Sequence, residues 1–540
     1  MTAVYLDSYR IEAQFDGVNW TNITGDVVGT IHCVYGITAN GPLDRVGDIG
    51  ILEFELNNSH TNSGNQVGYY SPGGLYCRSG FDIGLKLRLI FVWYGWEIVK
   101  WQGQIPADGI APKTGNYARQ TVKVLSRDWM EQAFNHELIA PAFTQNKTLP
   151  QIAELILANM AVQPPAVIYG TGEETFATVF DTVRTTTRAM TELAKATLPE
   201  LGYIFMTRQG LKIEGRYTRI DDHPALTEIP DPSVTYTRTT MAGDTRVTEE
   251  GDTRIVDEPL QVTVSLVNKQ NDMTVTYGKN FYNRLKLTAY PRRVDPTPTI
   301  LFNLESVIDI APSETIIFTG RFRDPETGAA KVSGKDMIPP EITTDYLMNT
   351  QADGGGSNIS ANLTILAEYG TGDVTYTFTN NNASTGYITL LQARGTGIYI
   401  YDPVDYIVQD DASVAINGPY QLTMDMKYQD DPLALIVMAP LILDLYKTAN
   451  VVVDQIFHPA NNSHELMNAL VFVEPGYRIH EEETVAGIVT DFFVQGVEMF
   501  IKPGGKIDYG WFVKDAVFDS YDVMVWDDFD WDEEGEFWGL

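Results

Sequence analysis

The stretch DFFVQGVEMFIKPGGKIDYGW, residues 491–511, has the pattern of a β-hairpin and indicates the fold class of the whole sequence. Its first arm is rich in aromatic and β-branched residues, which favour strands. Gly504 and Gly505 mark a turn, and Ile507 to Trp511 forms the returning arm. Because Tyr, Phe and Trp are also frequent elsewhere, we predict a mainly β protein with α+β insertions.

The same strand pattern fills the N-terminal quarter of the chain. Residues 85–89 alternate leucine with Lys or Arg, the period of two that places one face of a strand in a core. A Tyr-Gly pair at 94–95 breaks the run, and residues 96–104 return as the second arm of a hairpin. The density of short strands predicts a small barrel or sandwich over residues 1–135.

Helix signals occur in two regions of the chain, with two helices predicted in the first and one in the second. Thr148 is a typical N-cap with Pro150 in the first helical turn, and a second predicted helix runs from about 186 to 201 before a strand hairpin. Asp431-Pro432 starts an apolar helix, which we expect Pro440 to kink or split. The short apolar run at 470–473 is predicted as a strand.

The chain of 540 residues is long enough for roughly three to four domains. Its net charge is -33, with 71 acidic and 38 basic residues, which argues against a general grip on nucleic acid. Acidic charge keeps a protein soluble. It also suits the wall of a channel that must repel passing DNA. The composition leaves both interpretations open.

Two cysteines, Cys33 and Cys77, are too few for a disulfide framework or a four-cysteine metal site. We expect two free buried thiols, with a disulfide between them as the alternative. Met1 to Arg10 lacks a signal-peptide pattern, and the most apolar stretch, 433–445, is interrupted by Pro and Asp. We therefore expect synthesis in a cytoplasm and no membrane span.

Enzyme motifs are incomplete wherever they begin. His136-Glu137 and His464-Glu465 both lack the second histidine of a zinc-protease helix. The turn at 328–336 has the wrong spacing for a phosphate loop and ends in Asp. Seven scattered histidines give no catalytic triad, and nothing selects a pair among the 71 acids. We predict no catalytic residue, cofactor or metal site.

Aromatic residues around the N-terminal hairpin are candidates for contact with a glycan or a protein partner: Trp93, Tyr94, Trp96 and Trp101. Exposed aromatic rings can stack on sugars, but alternation along a strand places some of these rings in a core.

The C-terminal segment, 521–540, carries eight acidic residues and no basic one. Alternation along a strand would place three of its carboxylates on one face, where a calcium ion is one possible ligand. We favour an exposed acidic tail with aromatic anchors that docks onto a partner. The residues concerned are Asp528, Phe529, Asp530, Trp531 and Asp532.

Several stretches, taken in order, resemble the hub-type minor tail proteins of long-tailed bacteriophages. No single stretch is a sharp signature, and the weight lies in their order from residue 1 to about 518. Pro440 and the acidic C-terminal segment depart from the family's pattern. The matching stretches are 16–27, GILEFELNN at 50–58, Trp101-Gln102-Gly103, Ser126-Arg127-Asp128-Trp129, LLQARG at 390–395, Asp411-Ala412-Ser413, 433–446 and 491–511.

This resemblance implies a structural tail-tip protein of the virion. Proteins of this family form a homotrimeric ring, in which two related β-barrel modules per chain present six similar surfaces to a sixfold tail tube. The implied partners are the distal tail ring or tail tube protein, the tape-measure protein, host-binding fibres or a spike, and DNA that passes without specific binding during ejection. The alternatives are a receptor- or glycan-binding tail component and a cell-wall hydrolase.

The resemblance and the local patterns together predict the following layout. It comprises a first β-barrel hub module (1–135), an α+β helix–hairpin unit (136–222), a connector (223–260), a β-rich middle domain (261–430), a helix (431–446), a second β-barrel hub module (447–518) and an acidic tail (519–540).

Overall fold

The computed structural model describes residues 3–113, 120–139, 141, 144–180, 186–219, 226–237, 257–324, 331–370 and 372–516. Strands account for 46% of the structure and helices for 15%, which confirms the prediction of a mainly β protein.

The N-terminal region consists of short strands, as the alternating sequence predicts. In the hairpin between the fifth and sixth strands, Trp93 pairs with Trp96 across the turn. Tyr94 in that turn has a positive φ of 50°. The strands are β1 (Ser8–Ala13), β2 (Thr21–Asn22), β3 (Val27–Gly36), β4 (Ile51–Asn57), β5 (Lys86–Trp93), β6 (Trp96–Gln104), β7 (Ile110–Pro112) and β8 (Thr121–Arg127).

A helix–hairpin unit follows and has its own apolar core. Thr148 and Gln151 form a capping box at the start of the second helix, so the predicted N-cap is confirmed. The elements are α1 (Met130–Asn135), β9 (Glu137–Ile139), α2 (Leu149–Ala158), β10 (Val167–Tyr169), β11 (Thr186–Arg188), α3 (Ala189–Glu200), β12 (Tyr203–Thr207) and β13 (Gly210–Glu214).

The middle of the chain is also built of strands. The elements are β14 (Glu228–Thr237), β15 (Asp257–Thr263), β16 (Ser265–Val267), β17 (Asp272–Tyr277), β18 (Arg284–Ala289), β19 (Arg292–Val294), β20 (Thr299–Asn303), β21 (Ile308–Ile310), β22 (Thr315–Arg321), β23 (Lys331–Lys335), β24 (Tyr346–Asn349), β25 (Leu363–Tyr369), β26 (Asp373–Asn380), β27 (Gly386–Ile400), β28 (Val404–Gln409), α4 (Asp411–Asn417) and β29 (Gln421–Asp425).

Strand β14 lies inside the segment predicted as a connector and pairs antiparallel with β15, which begins in that segment and ends beyond it at Thr263. The long strand β27 organises one sheet, since β19, β20, β21, β23 and β24 all pair with it. A second sheet, β22-β26-β25, contributes Val374, Tyr376 and Phe378 to the same core.

The C-terminal region combines two helices and four strands. The prediction of a strand at 470–473 is wrong, because residues 470–472 belong to a helix whose N-cap, Ser463, accepts a hydrogen bond from the Leu466 amide. Pro440 does not split the apolar helix. The elements are α5 (Pro432–Tyr446), β30 (Val451–Pro459), α6 (His464–Phe472), β31 (Arg478–Glu483), β32 (Ile488–Lys502) and β33 (Lys506–Asp515).

The two ends of the described chain meet in one sheet. Strand β3 pairs antiparallel with β32, and the strand order runs β17-β30-β33-β32-β3-β4-β8-β6-β5-β1-β2. Phe54, Trp101 and Trp511 from both regions lie in one shared core. The path is open at both ends, and the described residues contain no closed barrel. The prediction of closed barrels is therefore corrected to an open sheet, in which β3 and β32 pair with each other. The division into two hub modules stays a prediction.

Glycines allow the close approach of these two strands. Gly36 has a positive φ of 95°, and a Cβ there would lie 2.6 Å from the Gln495 carbonyl oxygen and 2.7 Å from Gly496 Cα. Any larger side chain at residue 36 would push the strands apart.

Candidate functional site

Helix α5 is apolar on two sides, and the described residues cover only one of them. Its inner side packs against β18, with Leu435, Ala439 and Ile442 buried. Exposed apolar surface of this kind is a candidate contact surface. We call that side the outer face of α5, defined by Leu433 (68% exposed), Ile436 (47%), Val437 (41%) and Leu441 (50%).

Local sequence explains why this helix forms where it does. The Asp431 carboxylate accepts a hydrogen bond from the Leu433 amide at 2.8 Å, and Pro432 occupies the first turn. Pro440 is exposed, so the helical hydrogen bond that proline cannot donate is lost on the side open to water. The helix has 15 residues, and none of the described helices is long and apolar enough to cross a membrane.

The four aromatic candidates separate into two pairs. Trp93 and Trp101 lie in the core, at 2% and 3% exposure, and are closed to a ligand. Tyr94 and Trp96 remain 48% and 41% exposed. Contact with a glycan or partner therefore stays a prediction for the exposed pair.

The neighbours of these rings join the N-terminal hairpin to helix α6. Trp93 Nε1 donates a hydrogen bond to Asn468 at 3.1 Å, and the Trp93 and Tyr94 rings both contact the ring of His464. The edge of Trp96 meets Phe472 at 6.0 Å between centroids. The cluster thus fastens one end of the chain to the other.

A buried ion pair, which sequence reasoning missed, reinforces the same joint. Lys100 is fully buried on β6, and its Nζ donates to Glu474 Oε1 at 2.6 Å and to the carbonyls of Val471 and Val473 at 3.3 and 3.2 Å. Burial lowers the pKa of Lys100, although the charge of Glu474 opposes that shift. The hydroxyl of Tyr35 donates to Glu474 as well. The sequence did contain a local signal. Lys100 lies two residues after Ile98, and the period of two in a strand places both side chains on one face, which is buried.

The remaining candidates do not assemble into a reactive centre. The ring of His136 is half-buried beside the Asn159 carbonyl, and no group of three or more His, Cys, Asp or Glu in the described ranges is placed to hold a metal ion. Cys33 is buried, Cys77 is half-buried, and both are free thiols. Burial raises the pKa of Cys33, which keeps that thiol protonated and unreactive. The predicted docking residues 528–532 lie outside the described residues.

Comparison with known proteins gave matches among solved structures only. No protein-family model and no curated protein matches this sequence. The chain is similar to a tail protein from Neisseria meningitidis MC58, with 9% identity over 94% of this chain and 96% of that one and a TM-score of 0.43. A 43 kDa tail protein of prophage MuSo2 from Shewanella oneidensis has 9% identity over 94% and 98% and a TM-score of 0.45. The prophage tail protein gp18 from Listeria monocytogenes EGD-e has 9% identity over 94% of each chain and a TM-score of 0.37.

Proposed function

We propose that this chain is a structural subunit of a phage tail and that it works by assembly, not by catalysis. The observation that carries the proposal is the outer face of α5, an exposed apolar surface of the kind that a second protein covers. The ordered resemblance of the sequence to hub-type minor tail proteins supports the same assignment.

The finer proposal is a hub at the tail tip, with three copies closed into a ring. The two regions that would dock onto the tail tube, 1–135 and 447–518, meet in one sheet, so each copy would present them as a single rigid unit. The tail tube or distal ring, the tape-measure protein and host-binding fibres are the proposed partners. The net charge of -33 suits a passage from which DNA leaves without binding.

The energy available at the outer face is adequate for such a contact. Fully burying a Val, Leu or Ile side chain contributes about 1.5–3 kcal/mol, and these four are about half exposed. Each therefore contributes on the order of 1 kcal/mol when covered. An aspartate placed there would be buried without a partner in the assembly, yet would stay solvated in the single chain.

The experiment compares the mass in solution of the wild-type chain with that of Ile436→Asp and Leu441→Asp. We expect wild type at three times the mass of one chain and both variants shifted to single chains. Val485→Asp is the matched control, because Val485 is 96% exposed on a hairpin turn of the C-terminal region. Trimers that survive both substitutions in α5 would remove the basis of the proposal.

A second candidate function, glycan or receptor binding, rests on the exposed pair Tyr94 and Trp96. It predicts that the purified chain is retained on host cell-wall glycan and that Trp96→Ala releases it. Equal retention of both proteins would exclude this site.

A further inference from the structure

A small cavity lies where three parts of the molecule meet. Helix α5 contributes Ile442, strand β12 contributes Tyr203, and the adjacent strands β32 and β33 contribute Phe493 and Lys514. Its volume is about 40 Å³. That exceeds the ~10–15 Å³ of free space that one water molecule needs, so the cavity admits a small ion but no nucleotide or sugar.

Three cationic side chains lie at this cavity with unused hydrogen-bonding capacity. Arg219 is 5% exposed and lies over the Tyr203 ring at 3.8 Å, but its Nη1 and Nη2 have no hydrogen-bond partner among the described residues. Lys514 is 9% exposed, and its only side-chain hydrogen-bond partner among the described residues is the hydroxyl of Tyr203. Arg45, 8% exposed, donates only to the carbonyls of Pro42 and Leu201, at 3.1 and 2.5 Å. Buried donors without acceptors are costly, so the cavity favours an incoming acceptor.

The carboxylates nearby neutralise only part of this positive charge. Glu214 is held by Lys212 and by Nε of Arg219, both at 2.7 Å, which leaves the far end of the guanidinium open. Arg216, also at the cavity wall, is paired with Glu174 at 3.3 Å.

The remaining acid in the wall is Asp515. Burial raises its pKa to about 6, although the positive charge of Lys514 opposes that shift. Below that pH the carboxyl is neutral and does not repel an anion.

We propose that this cavity is a binding site for a tetrahedral oxyanion of the inorganic sulfate or phosphate class. The two free guanidinium nitrogens of Arg219 offer the forked geometry that oxyanions accept, and Lys514 adds a second positive charge in the cavity wall. Bound there, the ion joins β33 to the helix–hairpin unit, so it stabilises the junction of the two.

The pKa of Tyr203 shows how strongly the cavity favours negative charge. Burial alone would raise the pKa of its phenol, but the charges of Lys514, Arg45 and Arg219 lower it to about 7. Above that pH the Tyr203 phenolate neutralises part of the positive charge of the cavity and so lowers its affinity for an oxyanion. Ionised Asp515 also lowers the affinity for an oxyanion. Anion affinity is therefore highest near pH 5.5 and falls as the pH rises through 7.

Sulfate is the probe, because its charge is constant over this range. Titration calorimetry on the full chain compares sulfate with chloride at equal ionic strength, at pH 5.5 and at pH 8. We expect a sulfate-specific site at pH 5.5 that weakens at pH 8. The substitution Lys514→Met should weaken it about tenfold or more, since hydrogen bonds to charged groups contribute that much. Lys506→Met, an exposed lysine on the same strand, should leave it unchanged.

Sulfate should also raise the melting temperature of the wild-type chain more at pH 5.5 than at pH 8. This second measurement needs no variant to fold. A wild-type chain with no sulfate-specific heat and no sulfate-specific stabilisation at pH 5.5 overturns the proposal. Equal sulfate affinity in wild type and a folded Lys514→Met variant also overturns it.

Discussion

The buried pair Lys100–Glu474 gives the sharpest test of how the two ends of the chain are held together. The substitution Glu474→Gln keeps the shape of the side chain and an acceptor for Tyr35, but removes the negative charge. Lys100 then keeps only uncharged acceptors, which are the new amide oxygen and two backbone carbonyls 3.2 and 3.3 Å away, in a fully buried position. Removing one partner of a buried pair costs about 3–5 kcal/mol, and we expect the lower part of this range.

Urea unfolding followed by tryptophan fluorescence measures this loss, because Trp93, Trp101 and Trp511 lie in the shared core. The loss should shrink as the pH rises from neutral toward 10.5, the ordinary pKa of lysine, because an unpaired buried Lys100 can then lose its proton.

Two controls separate charge from packing in this experiment. The double variant Lys100→Met with Glu474→Gln removes both charges and should recover most of the lost stability. Lys113→Met breaks the exposed pair with Glu55 and should cost no more than about 1 kcal/mol. A Glu474→Gln variant that unfolds at the urea concentration of wild type would refute this reasoning.

Three further predictions concern local features. Burial raises the pKa of Asp128 to about 8, so wild-type stability should fall as pH rises from about 4 to 8. In calorimetry, Asp128→Asn should remove that fall and melt at a higher temperature than wild type at pH 8.5. Melting temperatures of the two proteins that change in parallel with pH would contradict this prediction. Gly36→Ala should cost more than Gly29→Ala, because both have positive φ (about 1–2 kcal/mol of strain) but only Gly36 meets the opposite strand; equal urea midpoints would show that the close approach is unimportant. Thr148→Ala should cost about 1 kcal/mol through loss of the capping box, measured by urea unfolding, with an unchanged midpoint as the contrary result.

Local sequence signals were sufficient to predict a structural element where a residue type has one main structural role at that position. Thr148 and Asp431 start helices because their side chains accept hydrogen bonds from the free backbone amides of the first turn. Pro432 suits the first turn because it has no amide hydrogen that would need an acceptor. The run at 470–473 misled because a short apolar stretch has no usable period. Ser463, an N-cap seven residues earlier, was the missed indication.

Long-range arrangement was beyond sequence reasoning for a physical reason. Strands β3 and β32 pair although almost the whole chain lies between them in sequence, and neither strand's sequence identifies the other as its partner. The predicted closure into barrels was therefore wrong for the described residues, and the division into two hub modules stays a prediction. The oxyanion cavity likewise draws Arg45, Arg219 and Lys514 from distant segments, each ordinary in its own local sequence.

The most direct test of the assembly proposal is averaged electron microscopy of the purified chain at a resolution that shows helices. The account predicts a closed threefold ring with a central opening, in which the outer face of α5 is covered by a neighbouring copy. Single chains at high protein concentration, or a ring that leaves Ile436 and Leu441 open to solvent, would contradict it.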